Sequence, residues 1–158
     1  MPDTQATIYS IDANAMIHAW IEAYRPESFE SFWQRLDDLI EAGRVRITEE
    51  VVEEVKRKED GLYEWLHARP KGIVSHTDDV QANVTRILAT HPLLVKQRKN
   101  RSGADPFVIA VAMCERATVV SQEGSGSDST PKIPDVCKAY GVPLVRLGGL
   151  ISAEGWRF

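Results

Sequence analysis

The sequence predicts an α/β domain with a mostly parallel central sheet flanked by helices. Three observations carry that prediction. Short runs rich in β-branched and aromatic residues alternate with segments of helical apolar spacing from one end of the chain to the other. Those short runs read as buried strands by composition. The chain has 158 residues, 43% hydrophobic and 27% charged, which suits a single globular domain over residues 1–158 with a sizeable core.

Each element has its own local reason. Thr7 to Ile11 reads as the first strand, and Ala13 to Tyr24 as a helix stopped before Pro26. Ser28 opens a second helix, with Phe29, Phe32, Trp33, Leu36, Leu39 and Ile40 at helical spacing and Gly43 ending it. Arg44 to Ile47 reads as a second strand, after which Thr48 caps the helix "EEVVEEVKRK". Gly61 interrupts the pattern, and "LYEWLHAR" reads as a short helix ended by Pro70. "GIVS" is the next strand, and Thr77 with Asp78 opens a helix through Leu88. "GADPFVIAVAMCERA" is the clearest helix, and "TVVS" the strand behind it. "EGSGSDSTPK" is a loop rich in glycine and serine. Asp135 to Tyr140 forms a short helix closed by Gly141, "PLVRL" a last strand, and Gly149 to Glu154 a final helical turn.

Composition narrows the function. A net charge of −4 argues against holding nucleic acid by overall positive potential, while leaving room for a local patch. "KQRKNR" is such a patch, with Lys96, Arg98, Lys99 and Arg101 as candidate RNA contacts and a solvated loop as the plainer reading. No apolar run approaches the roughly 18 residues of a membrane span, and the opening residues lack a signal-peptide pattern, so the expected setting is the cytoplasm with no membrane partner. Cys114 and Cys137 are expected as reduced thiols. His18, His67, His76 and His91 show no paired zinc spacing. Ser10 and Ser121 lack the glycines of a nucleophile elbow, and no phosphate-cradling glycine loop opens a helix. Trp156 is the tryptophan to consider for a dimer or partner contact.

The acids are more informative. Ligands of open α/β sheets bind outside the carboxyl ends of the strands. Asp12 ends the first strand there, and Glu123 stands just past "TVVS". Taken alone, Asp12 reads first as a helix cap, and Asp105 before Pro106 as a helix start. On the helix "EEVVEEVKRK", Val51, Val52 and Val55 form the buried stripe at 100° per residue. Glu53 then faces solvent, and Glu54 falls at the stripe's border, roughly 100° from its centre. Each acid has a surface or capping explanation, but four such coincidences would have to hold together. Grouped carboxylates suit Mg²⁺ or Mn²⁺, and like charges gathered without cations repel. With metal, such a cluster can activate water for displacement at phosphorus.

In their order along the chain, "YSIDANAMI", "VVEEVKR", "GADPFVIAVA" and "TVVSQE" resemble the motifs of the PIN-domain ribonucleases, especially the VapC-like toxin branch and a PIN-like subgroup around "KIPDVCKAYGV". The resemblance runs from about Thr7 to Leu150. It implies a Rossmann-like PIN fold and a metal-dependent endoribonuclease, the toxin of a type II toxin–antitoxin module, with an antitoxin protein as partner and often a homodimer. It further implies Asp12, Glu54, Asp105 and Glu123 as the catalytic acids and Asp12, Asp105 and Glu123 as ligands of Mg²⁺ or Mn²⁺. Asn14 and Ser121 would orient metal, water or phosphate. Glu123 stands where the family more usually has Asp, so Asp128 or Asp135 could take that place, as Glu53 could take that of Glu54. The competing expectation is a catalytically inactive PIN-like module that binds RNA or a protein through the basic loop.

Overall fold

Five short strands form one sheet in the order β3-β2-β1-β4-β5, and every pairing is parallel. The strands are β1 (Tyr9–Ile11), β2 (Val45–Thr48), β3 (Ile73–Val74), β4 (Thr118–Val120) and β5 (Leu144–Val145). This computed structural model describes residues 6–92, 94, 104–124, 126 and 131–158, with residues 104 and 105 described by their backbone alone. The architecture is the expected α/β one, consistent with a PIN-like, Rossmann-type fold. Parallel strands need crossover connections, and helices supply them on both faces. Central β1 is consequently buried along its whole length, with Tyr9 opposite Val45 and Thr118 in the neighbouring strands.

The described helices are α1 (Ala13–His18), α2 (Glu30–Glu41), α3 (Glu49–Lys58), α4 (Asp60–His67), α5 (Asp78–Thr90), α6 (Ala104–Glu115), α7 (Ile133–Tyr140) and α8 (Leu147–Glu154). Thr48 and Thr77 cap α3 and α5 as their sequence positions suggest, each hydroxyl accepting a backbone N–H at 3.2 Å. Gly43 follows α2 at φ +75°, a conformation that favours glycine. In α6, Val108, Ile109, Ala110 and Val111 are all buried, as the sequence of that helix indicates.

Three expectations need correction. The helix expected from Ala13 to Tyr24 is α only to His18 and widens into a π-helix over Ala19–Ala23. Gly61 does not interrupt a helix; it lies in the first turn of α4, and the break falls at Glu59, whose backbone is extended. A Cβ on Gly61 would meet the Trp20 ring at 3.0 Å, so the glycine admits an indole rather than ending an element. Trp156 is not a partner surface. It is 9% exposed and packs edge-on against Phe32 at 5.8 Å. Trp20, Trp33 and Trp65 continue that aromatic layer, with ring centroids 5.0 and 5.1 Å apart.

At the amino end of β1 a polar lock fastens the last helix to the sheet. Tyr9 Oη donates to Glu154 at 2.6 Å, and Arg44 reaches both oxygens of that carboxylate at 2.9 and 2.6 Å. Burial pushes the Glu154 carboxyl up, but the Arg44 and Tyr9 hydrogen bonds and the Arg44 charge outweigh it and hold the group below its ordinary 4.5. Burial also raises the Tyr9 phenol, and the carboxylate it bonds raises it further.

Because the folded value is lowered, this stabilisation is complete above the unfolded value and is lost as pH falls through the folded one. Glu154→Gln keeps the side-chain shape and removes the charge. It should lower stability by about 2 kcal/mol at neutral pH, and the deficit should close as pH drops below 4.5. Urea unfolding of both proteins across that range is the check, and a deficit that does not change with pH would contradict it.

Candidate functional site

The site is built where β1 and β4 end side by side. Ile11 pairs with Val120, and one residue on, the Asp12 N–H donates to the Val120 carbonyl at 2.9 Å. That bond fixes the Asp12 backbone at the carboxyl edge of the sheet. Asp12 occupies the N-cap position of α1, yet its side chain makes no capping hydrogen bond. The carboxylate, 2% exposed, instead accepts from Ser121 at 3.3 Å. Capping was the plainer reading of this residue, and the geometry directs the side chain elsewhere.

Ser121 and Asn14 join Asp12 to Glu123. Ser121 Oγ lies 3.3 Å from both Asp12 Oδ2 and Asn14 Oδ1, with one hydrogen to give to either. It also accepts the Glu123 N–H at 3.1 Å, which fixes the turn that carries that acid. Asn14 Oδ1 accepts the Gln122 N–H at 3.0 Å, so its amide nitrogen faces Glu123 Oε2, 3.4 Å away. The Glu123 residue is 9% exposed. Asp12, Asn14, Ser121 and Glu123 thus form one connected group drawn from two adjacent strand ends.

Glu54 arrives from α3. It is 7% exposed while Glu53 is exposed, in line with the helical angles. Asp12, Asn14 and Glu54 share a cleft of about 250 Å³ with Ile17, His18 and Lys58. Lys58, one helical turn after Glu54, donates to its carboxylate at 3.2 Å. Asp105 lies in the first turn of α6, and its side chain is outside the described residues. Lys96, Arg98, Lys99, Arg101 and Asp128 are also outside them. Among the described residues, no three His, Cys, Asp or Glu side chains converge as a ready-made metal cage.

Asp135 is placed away from this group. Its Oδ2 accepts the N–H of Gly126 and of Lys132, each at 2.7 Å, so it closes the loop into α7. Two further residues belong to the site's framework. Gln122 Oε1 accepts the Leu147 N–H at 2.7 Å and ties the turn after β4 to α8. The buried Cys137 thiol is pushed up to about 12 by burial, with the Asp12 charge adding to the rise.

The donor set consists of carboxylate, amide and hydroxyl oxygens, which suits a hard divalent cation better than a soft one. Asp12 and Glu123 would be first to hold such an ion, with Glu54 in the cleft that Asp12 also lines.

Comparisons place the chain among known proteins. A family model described as "Domain of unknown function (DUF4411)" matches residues 9–158. A chain in the crystal structure of VapBC2 from Rickettsia felis, bound to a DNA fragment from their promoter, is similar in fold with a TM-score of 0.53. That likeness covers 89% of this chain and 98% of the other at 15% sequence identity. No curated protein matches the sequence.

The two thiols should react differently. Cys114 is exposed and Cys137 is buried with its ionisation suppressed, and the thiolate is the form that alkylates. Iodoacetamide at mildly alkaline pH should add one adduct to the native protein, on Cys114, as read by intact mass and peptide mapping. Rapid labelling of Cys137 under the same conditions would contradict the packing described around Asp12.

Proposed function

The chain belongs to the DUF4411 family, and we propose that it is an Mg²⁺- or Mn²⁺-dependent endoribonuclease acting as the toxin of a type II toxin–antitoxin module in the cytoplasm. The observation that carries this reading is the orientation of Asp12. Its carboxylate sits at the carboxyl edge of the sheet, turned from its own helix and linked through Ser121 and Asn14 to Glu123. The fold shared with a VapBC2 chain supports it. Asp105, from the first turn of α6, completes the proposed acid set.

Asp12, Asp105 and Glu123 would hold the ion, and Glu54 would accept a proton from water entering the cleft. When bound, the metal supplies Lewis-acid polarisation of a phosphate oxygen and a more acidic water. Asn14 fixes the Glu123 carboxylate through its amide nitrogen, and Ser121 does the same for Asp12. Lys58, half exposed at the rim of the cleft, can move from Glu54 towards a phosphate. An antitoxin protein and a second copy of the chain are the proposed partners. Among the described residues, no helix is long and apolar enough to cross a membrane.

A second reading draws on the same lysine. The Lys58 ammonium neutralises Glu54 within the cleft, as it would in a PIN-like module that binds RNA or protein without cutting.

One assay separates the two. Purified protein is incubated with total cellular RNA and Mn²⁺ or Mg²⁺, beside Asp12→Asn. The nuclease reading expects cleavage that a chelator abolishes and that the substitution reduces by on the order of a hundredfold or more. Cleavage that survives Asp12→Asn would sink the site assignment, and a wild-type protein inert towards every RNA would favour the binding module.

A further inference from the structure

A cationic trench lies between the end of α5 and α7, apart from the acid group. Two adjoining hollows, of about 420 and 640 Å³, share Thr90, His91 and Ala139. The first extends to Arg86 and Tyr140, and the second to Lys138, Asp135 and Gly126. Gly126 belongs to the segment that leaves Glu123, so the trench begins in the same loop that carries a site acid.

Two of its lining residues are cations. Arg86 and Lys138 are exposed, and among the described residues neither pairs with a carboxylate. By contrast, Arg44, Arg46 and Arg69 are each paired with an acid. The acid of the trench, Asp135, is held by two backbone N–H groups, so the lining sets two cations against one acid. A protein of net charge −4 therefore carries a local positive groove.

The trench also holds a fixed flat surface. The Tyr140 hydroxyl is 2.5 Å from Thr90 Oγ1, which immobilises the ring. The Arg86 guanidinium lies 5.5 Å from the centroid of that ring, and the His91 ring centroid is 6.0 Å from it. Cations spaced along a groove, with planar groups between them, match a single-stranded nucleic acid: phosphates on the charges and a base against the flat groups.

We propose that this trench binds the single-stranded RNA flanking the cut site, with Arg86 and Lys138 contacting phosphates and the Arg86–Tyr140 stack receiving a base. The proposal deepens the nuclease reading and rests on RNA being the substrate. It assigns the trench to substrate binding and leaves bond cleavage to the acids.

The test measures binding of a labelled oligouridylate of about 12 nucleotides to the full-length Asp12→Asn protein, with and without Arg86→Ala and Lys138→Ala together. Loss of two single-strand phosphate contacts should flatten the slope of log affinity against log salt by about 1.4 and weaken binding about 25-fold at roughly 0.1 M salt. Arg86→Lys with Lys138→Arg, which keeps both charges, should restore the slope. In the protein with Asp12 intact, the double alanine variant should raise KM for RNA and leave kcat unchanged. Unchanged affinity and slope in the double alanine variant, or no RNA binding at all, would overturn the proposal. Charge-dependent binding in a protein that never cleaves would uphold the trench and remove the nuclease reading.

Discussion

The bond from the Asp12 N–H to the Val120 carbonyl is the constraint on which the candidate site depends. It extends the β1–β4 ladder by one residue past Ile11, so the first acid is fixed by sheet geometry before any side chain is considered. In a parallel sheet every strand delivers its carboxyl end to the same edge. The residues following β1 and β4 must then meet, and both sequences place an acid and a hydrogen-bonding partner there. Asn14 and Ser121 convert that backbone adjacency into side-chain contacts at 3.0–3.4 Å. A loop-built site would need its own ordering entropy; this one inherits its order from a buried ladder.

The two ends of β1 handle buried carboxylates in different ways. At the amino end, Glu154 receives a guanidinium on both oxygens and a phenol besides, and its ionisation is eased. That is an acid neutralised in place, holding α8 to the sheet. At the carboxyl end, the Ser121 hydroxyl contacts Asp12 and the Asn14 amide contacts Glu123, and both lead to another carboxylate. Hydroxyl and amide fix the orientation of a carboxylate. The first arrangement fastens a helix to the sheet, and the second joins two acids from adjacent strand ends into one group.

Legibility in the sequence followed the range of the interaction. Thr48 and Thr77 were readable as caps because a cap is settled within four residues. The split between buried Glu54 and exposed Glu53 was readable because helical angle alone decides it. Even the Glu54–Lys58 pair lies within local reach, one turn apart on the same face. Gly61 was misread because its meaning comes from Trp20, forty positions earlier, whose indole needs the space a Cβ would fill. Trp156 was misread for the same reason, since only the fold brings Phe32 against it. The widening of the first helix at Ala19–Ala23 had no local signal at all. The Gln122 contact to Leu147 and the Tyr9–Glu154–Arg44 lock join distant segments, and no periodicity encodes them.

Glu54 shows how burial and chemistry combine in a single residue. Burying a carboxylate to 7% exposure costs free energy in lost hydration, and the Lys58 contact offsets part of it. A fold selected only for stability would put an apolar side chain at the border of the Val51, Val52 and Val55 stripe. Lys58 is itself half exposed, so its ammonium can leave Glu54 at little cost while staying at the cleft that Glu54 shares with Asp12. The ammonium released in that step stays at the rim, within a side chain's length of anything the cleft admits. A negatively charged phosphate entering there would meet the lysine first, and its arrival would itself favour separation of the lysine from Glu54. The same local rule that lets α3 bury Glu54 beside its valines therefore also supplies the cation that guards it, four residues later on the same helical face.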